Sequence, residues 1–278
     1  MPDRPESPSA RALAWLYSPA AQRAPLATLC ALEREIGASL RRGLDHQVAH
    51  TRLAWWAEEC ARCAAGQPLH PLTRELTVLL SAAGAAPVGG LDGLVGTALW
   101  DLASAPFETR HELTGYCERW GGAMIEPLAR QAAPAVPREQ ARILGARLRE
   151  LELLVALAPD ARCGRLRLPL EELDRAQIPP ESLARTPFAS ALASLLRERH
   201  GRLRSALVAS VDALPSAAQP SLRGLVVWAA IVCAQSVRVQ ARLPRASLAR
   251  DHHAPLDGWR AWRAARRAQA GRGLARAA

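Results

Sequence analysis

Carboxylates on helix-patterned stretches can hold a divalent cation when their spacing puts them on one face. Glu33 and Glu35 lie in one apolar-patterned stretch, and Glu152 and Asp160 lie in another. Oxygen ligands of this kind suit Mg²⁺, and such ions can neutralise a departing phosphate group. The favourable pattern is D-x-x-x-D, because residues four apart share a helix face. In the first stretch that pattern is missing, since Glu33 faces Gly37 and Glu35 faces Ser39. On a straight helix Glu152 and Asp160 would stand about 12 Å apart, too far to chelate one ion together. No metal site of the usual form is expected.

Other constellations are weaker. His46 and His50 are four apart beside Asp45, a spacing that could hold a metal but more often marks a polar helix face. Asp251-His252-His253 lies in a loop without a nearby partner cluster. Cys60-x-x-Cys63 sits inside a helical pattern with no second pair, and the six scattered cysteines read as reduced thiols. Nucleophile-elbow, dinucleotide-binding and P-loop fingerprints are absent.

The elements that must position these groups are helical. Hydrophobic residues make up 49% and aromatics only 4% of the 278 residues, a balance that favours Ala- and Leu-rich helices over strands. The formal charge is +10 and every basic residue is arginine. A basic surface attracts diphosphates, anionic lipid or nucleic acid, but no nucleic-acid motif accompanies it. Apolar spacing predicts helices over 24–42, 45–65, 71–82, 138–157, 187–213, 219–242 and 256–270. Residues 84–96 read as a Gly-rich connection, Thr109 with Glu112 as a capping box, and Pro159 as the end of the 138–157 helix. The run Leu225 to Ala234 is about half the length of a membrane span and reads as a buried core helix. Residues 1–17 are expected to be a disordered leader unlike a signal peptide, 18–270 one all-α domain, and 271–278 a disordered tail. The segment Trp259-Arg-Ala-Trp262-Arg-Ala-Ala-Arg266-Arg267 has two readings: an interfacial helix on anionic lipid, or tryptophans packed on the body with arginines in water.

Several motifs carry a resemblance. Arg52-Leu-Ala-Trp55-Trp56-Ala-Glu-Glu59, then Gly66-Gln-Pro-Leu-His70-Pro71, is similar to the second-helix signature of the squalene/phytoene synthase family. Ser18-Pro-Ala-Ala-Gln-Arg23 resembles the family's opening element. Tyr116-Cys117, and Asp160 with Gly164-Arg165 and Leu168-Pro169, resemble later ones. The resemblance implies an isoprenoid-synthase-type helical bundle around a central cavity, in which two prenyl diphosphates are joined head to head using magnesium. It also implies substrate-binding roles for Arg23, Arg52, Tyr116, Asp160 and Arg165.

Both metal motifs depart from the family pattern. Arg34, Glu35 and Ala38 fall on the first set of aspartate positions, and Val155 and Ala156 replace an Arg-Asp pair in the second. Ile125 replaces a smaller residue that would border a prenyl tunnel. The Glu35-Ile36 pair is similar to the non-catalytic branch that includes the mitochondrial complex I assembly factor. The expectation is therefore a homologue without catalytic residues or cofactor that holds an isoprenoid, a prenyl diphosphate or a protein partner. It would be cytoplasmic, with peripheral membrane contact through 256–270 on the inner membrane face and no nucleic acid. The alternative that the resemblance implies is an active prenyl transferase condensing farnesyl or geranylgeranyl diphosphate, with an atypical Mg²⁺ site built from Glu35, Glu152 and Asp160 beside Glu33, and Arg52 and Arg165 on the diphosphate.

Overall fold

The alanine and leucine patterning resolves into helices throughout a computed structural model that describes residues 9–41, 43–81, 89–245 and 253–274. In chain order they are α1 (Ala10–Tyr17), α2 (Ala20–Gly37), α3 (His46–Ala64), α4 (Pro71–Ser81), α5 (Asp92–Ala103), α6 (Arg110–Met124) and α7 (Glu126–Ala132). There follow α8 (Arg138–Val155), α9 (Leu157–Arg162), α10 (Leu170–Arg175), α11 (Ser190–Asp212), α12 (Arg223–Arg242) and α13 (Asp257–Gln269). No strand forms among the described residues. The capping box forms as expected: Thr109 Oγ1 accepts from the Glu112 amide while the Glu112 carboxylate accepts from the Thr109 amide.

α12 lies at the centre, packed by α1, α8, α11 and α13. It is long and apolar enough to cross a membrane, yet Val226, Val227, Trp228, Ala229 and Ile231 are all buried in the protein's own core. α6 and α8 cross through glycine. A Cβ on Gly121 would lie 2.7 Å from both the Arg142 carbonyl oxygen and the Ala146 nitrogen, and one on Gly145 only 2.6 Å from Gly121 Cα. Ile125 belongs to this crossing: a Gly145 Cβ would meet its side chain at 2.9 Å. It lines none of the cavities described below, so it fills the helix crossing rather than narrowing a tunnel.

The tryptophan-pair signature explains how α3 meets α4. Glu59 is fully buried, and its Oε1 accepts from the amides of Leu69 and His70, both at 2.8 Å, and from the Thr73 hydroxyl. A carboxylate at the start of α4 satisfies amides that the helix leaves orphaned. The cap is locked by Trp56 against His70, with ring centroids 4.7 Å apart.

Four boundaries differ from expectation. Residues 10–17 are not leader but helix α1, capped by Ser9 Oγ, with Ala10, Ala12 and Ala14 buried. Their alanines show little apolar contrast in sequence, yet small side chains let α1 lie close against Gly224 of α12, where a Cβ would meet Ala14 O at 2.9 Å. The chain does not wait for Pro159 to break: α8 ends at Val155, and α9 restarts with Pro159 in its first turn. There a missing N–H leaves no bond unmade. α5 begins within 84–96, whose residues 84–88 lie outside the described ones. Residues 271–274 dock on the body, with Gly273 N donating to Gln219 Oε1 at 2.7 Å and Leu274 buried.

Candidate functional site

Two adjoining cavities of about 440 and 320 Å³ share Arg11, Asp101, Arg149 and Arg165 in their walls. A third, of about 350 Å³, also reaches Asp101 and Arg165 and adds Ser39, Arg41 and His46. The largest has an apolar side formed by Ile36, Leu40, Leu94 and Ala98. Across the first two, the charged lining consists of six arginines (Arg11, Arg34, Arg41, Arg149, Arg165, Arg167) and four carboxylates (Glu33, Asp101, Glu152, Asp160).

The carboxylates are already neutralised from within. Arg11, delivered by α1, forms a two-pronged ion pair with Glu33 of α2, and its Nη2 stands 3.7 Å from Glu152 of α8. Arg149 Nη1 donates to Glu152 at 3.2 Å. The indole N–H groups of Trp120 and Trp228 donate to Glu33 at 2.8 Å and to Glu152 at 2.9 Å. These two rings meet edge to face at 5.9 Å, and Arg11 lies over both. Burial alone would raise the Glu33 pKa, but the charges of Arg11 and Arg149 outweigh it and hold the carboxyl below its usual range.

Arg167 does the same for the other two acids. Its Nη1 and Nη2 grip Asp101 at 2.7 and 3.0 Å, and its Nε donates to Asp160 at 2.9 Å. The Tyr116 hydroxyl donates to Asp101 at 3.3 Å, and the guanidinium lies 5.5 Å from the centroid of its ring. Burial would raise the Asp101 pKa, but hydrogen bonds and charge from Arg167 hold it low. With Gly164 in the left-handed region, the segment turns back so that Arg167 is buried while Arg165 remains half-buried at the mouth. Arg41 and Arg165 make no side-chain hydrogen bond or ion pair among the described residues, although the charge of Arg165 helps to hold Asp101 ionised, and both face the cavities.

The donor set does not fit magnesium. Glu33, Asp101, Glu152 and Asp160 each accept from a guanidinium or lie beside one, and no three His, Cys, Asp or Glu side chains converge among the described residues. An octahedral ion with several carboxylate oxygens would need those pairs broken. Glu35, named for such a site by its position, is 47% exposed and pairs with Arg52 at 3.7 Å outside the cavities. The straight-helix separation of Glu152 and Asp160 does not apply, because the chain breaks at Ala156 and both line one cavity.

The residues named for substrate therefore divide. Tyr116, Asp160 and Arg165 line the cavities, whereas Arg23 and Arg52 do not. Arg23 is exposed and caps the α1–α2 connection, donating to Ser18 O at 3.2 Å and Leu16 O at 3.0 Å. Sequence patterning does not single out Arg11, Arg149 or Arg167. The signal for Arg167 was its place two residues beyond Arg165 and directly before Leu168-Pro169, and Arg11 lay in the stretch set aside as leader. The remaining candidates are structural: Asp45 caps α3, His46 and His50 meet at 3.1 Å on an exposed face, and burial pushes the Cys60 thiol up to about 12. Only His253 of the Asp251-His252-His253 group falls within the described residues.

In fold the chain is similar to a dehydrosqualene synthase crystallised in complex with ligand, with a TM-score of 0.70 and 17% identity over 95% of this chain and 91% of that one. It is also similar to the squalene synthase HpnC from Alicyclobacillus acidocaldarius, with a TM-score of 0.67 and 15% identity over 84% and 89%. No curated protein sequence matches it. The squalene/phytoene synthase family model matches residues 5–260, nearly the whole of the helical body, and the chain belongs to that family.

Proposed function

We propose that this protein is a non-catalytic member of the squalene/phytoene synthase family that holds an anionic isoprenoid through arginines rather than through metal. The observation that carries the reading is that Arg11, Arg149 and Arg167 stand on the four inward carboxylates. Cations that an active site would recruit from solution are here side chains. The remaining cavity charge, from Arg41 and Arg165, suits a diphosphate, since guanidinium pairs well with phosphate oxygens. The apolar wall of Ile36, Leu40, Leu94 and Ala98 suits the start of a prenyl chain. The similarity of the Glu35-Ile36 pair to the non-catalytic branch supports placement there.

Incubation with farnesyl or geranylgeranyl diphosphate and Mg²⁺ tests the reading, with pyrophosphate and extractable hydrocarbon as readouts. The expected result is neither product, together with a rise in melting temperature on adding the diphosphate in EDTA. A C30 or C40 hydrocarbon would overturn the non-catalytic reading in favour of an active transferase. A thermal shift seen only with Mg²⁺ would overturn the arginine-based binding.

A further inference from the structure

α13 has two unlike faces. At 100° per residue, Ala261, Ala264, Ala265 and Ala268 gather on one side, and all four are buried where the helix lies on α12 and α1. Leu256, Trp259, Trp262, Arg263 and Arg266 gather on the opposite side, within an arc of about 120°. Leu256 is 59% exposed, Trp259 53% and Trp262 49%. The small residues have taken the packing positions, so the tryptophans face outward.

The charges on that face share one sign. Arg263 lies 4.6 Å from the centroid of Trp259 and Arg266 6.0 Å from that of Trp262, and neither pairs with a carboxylate among the described residues. The only acid of the helix, Asp257, is buried and held by Arg238 and Arg260. Tryptophan rings favour the boundary between headgroups and acyl chains, while arginines beside them meet lipid phosphates. Nucleic acid would use the arginines but would leave Leu256 in water.

We propose that the outward face of α13 docks the protein on an anionic lipid bilayer. Leu256, Trp259 and Trp262 seat at headgroup depth, and Arg263 and Arg266 contact the lipid phosphates. This surface is separate from the cavities, so it stands whether or not they bind a ligand.

The test is co-sedimentation of the full chain with vesicles of phosphatidylcholine containing about one-quarter phosphatidylglycerol, compared with phosphatidylcholine alone, alongside tryptophan emission. Binding to the anionic vesicles with a blue shift is expected. Arg263→Gln with Arg266→Gln should lower partitioning about 25-fold, roughly fivefold per arginine. Trp259→Ala with Trp262→Ala should lower it at least about tenfold through lost apolar burial. Because these side chains are on the outer face, circular dichroism and melting temperature should match wild type, and either pair alone suffices as a test. Absence of binding to anionic vesicles, or binding undiminished by either double variant, would overturn the proposal. So would tighter binding to single-stranded RNA that depends on the arginines but not on the tryptophans.

Discussion

Replacing Arg167 with methionine removes the cation that serves Asp101 and Asp160 while keeping most of the side-chain volume. Arg167 is 5% exposed, and its two partners are nearly as enclosed. Breaking a buried pair by deleting one member costs about 3–5 kcal/mol, because the stranded charge keeps its desolvation penalty. Urea unfolding at neutral pH should show that loss, and calorimetry a fall of roughly 6–20 °C. The pH dependence gives a sharper check. In wild type Asp101 titrates below its unfolded value of about 3.9, so its contribution is present above that value and lost as pH falls through the lower folded one. Without the guanidinium, burial is opposed only by the Tyr116 hydrogen bond and the charges of Arg165 and Arg149, so the folded pKa moves up and the variant loses less stability on acidification than wild type does. The gap between the two proteins should therefore narrow as pH falls from 7 towards 4. Adding Asp101→Asn and Asp160→Asn to the variant should recover most of the loss. A penalty under about 1 kcal/mol, or one constant with pH, would refute the claim that Arg167 is the buried counter-charge of this site.

Gly121→Ala should destabilise by about 1–3 kcal/mol or more through overpacking at the α6–α8 crossing, whereas Gly122→Ala, with contacts no closer than 4.0 Å, should be neutral or stabilising; thermal melts separate the two. Glu59→Ala should lose about 2–4 kcal/mol in urea. Burial is outweighed by its hydrogen bonds, which lower the Glu59 pKa to about 2, so wild type should lose this contribution only as pH falls from the unfolded carboxylate range towards that value. Arg11→Gln should cost about 1–3 kcal/mol, less than Arg167→Met because its side chain is a quarter exposed. Arg41→Gln with Arg165→Gln should leave the melting temperature unchanged and weaken diphosphate binding at least about tenfold by calorimetry.

How much of this was legible in sequence depended on the reach of each interaction. The tryptophan-pair signature could be read because its parts meet locally: Trp56, Glu59 and His70 belong to one turn-and-cap between consecutive helices. Helices α2 to α4, α8 and α11 to α13 announced themselves through apolar spacing. α1 did not, because an alanine face against a glycine has no apolar contrast. The guanidinium pairs were invisible for a different reason. Arg11 meets Glu33 from 22 residues away and Arg167 meets Asp101 from 66, and no spacing rule governs contacts made only after helices pack. Reading the acids without their partners left them as candidate metal ligands.

Those internal pairs also fix how the interior responds to its surroundings. A pocket that borrows dissolved cations changes its electrical state with chelators, competing metals and nutrient supply. Here the compensating positive groups are encoded in the polypeptide and keep their protons throughout physiological conditions. The same charge landscape is therefore assembled every time the chain folds, whatever the divalent ion content of the compartment.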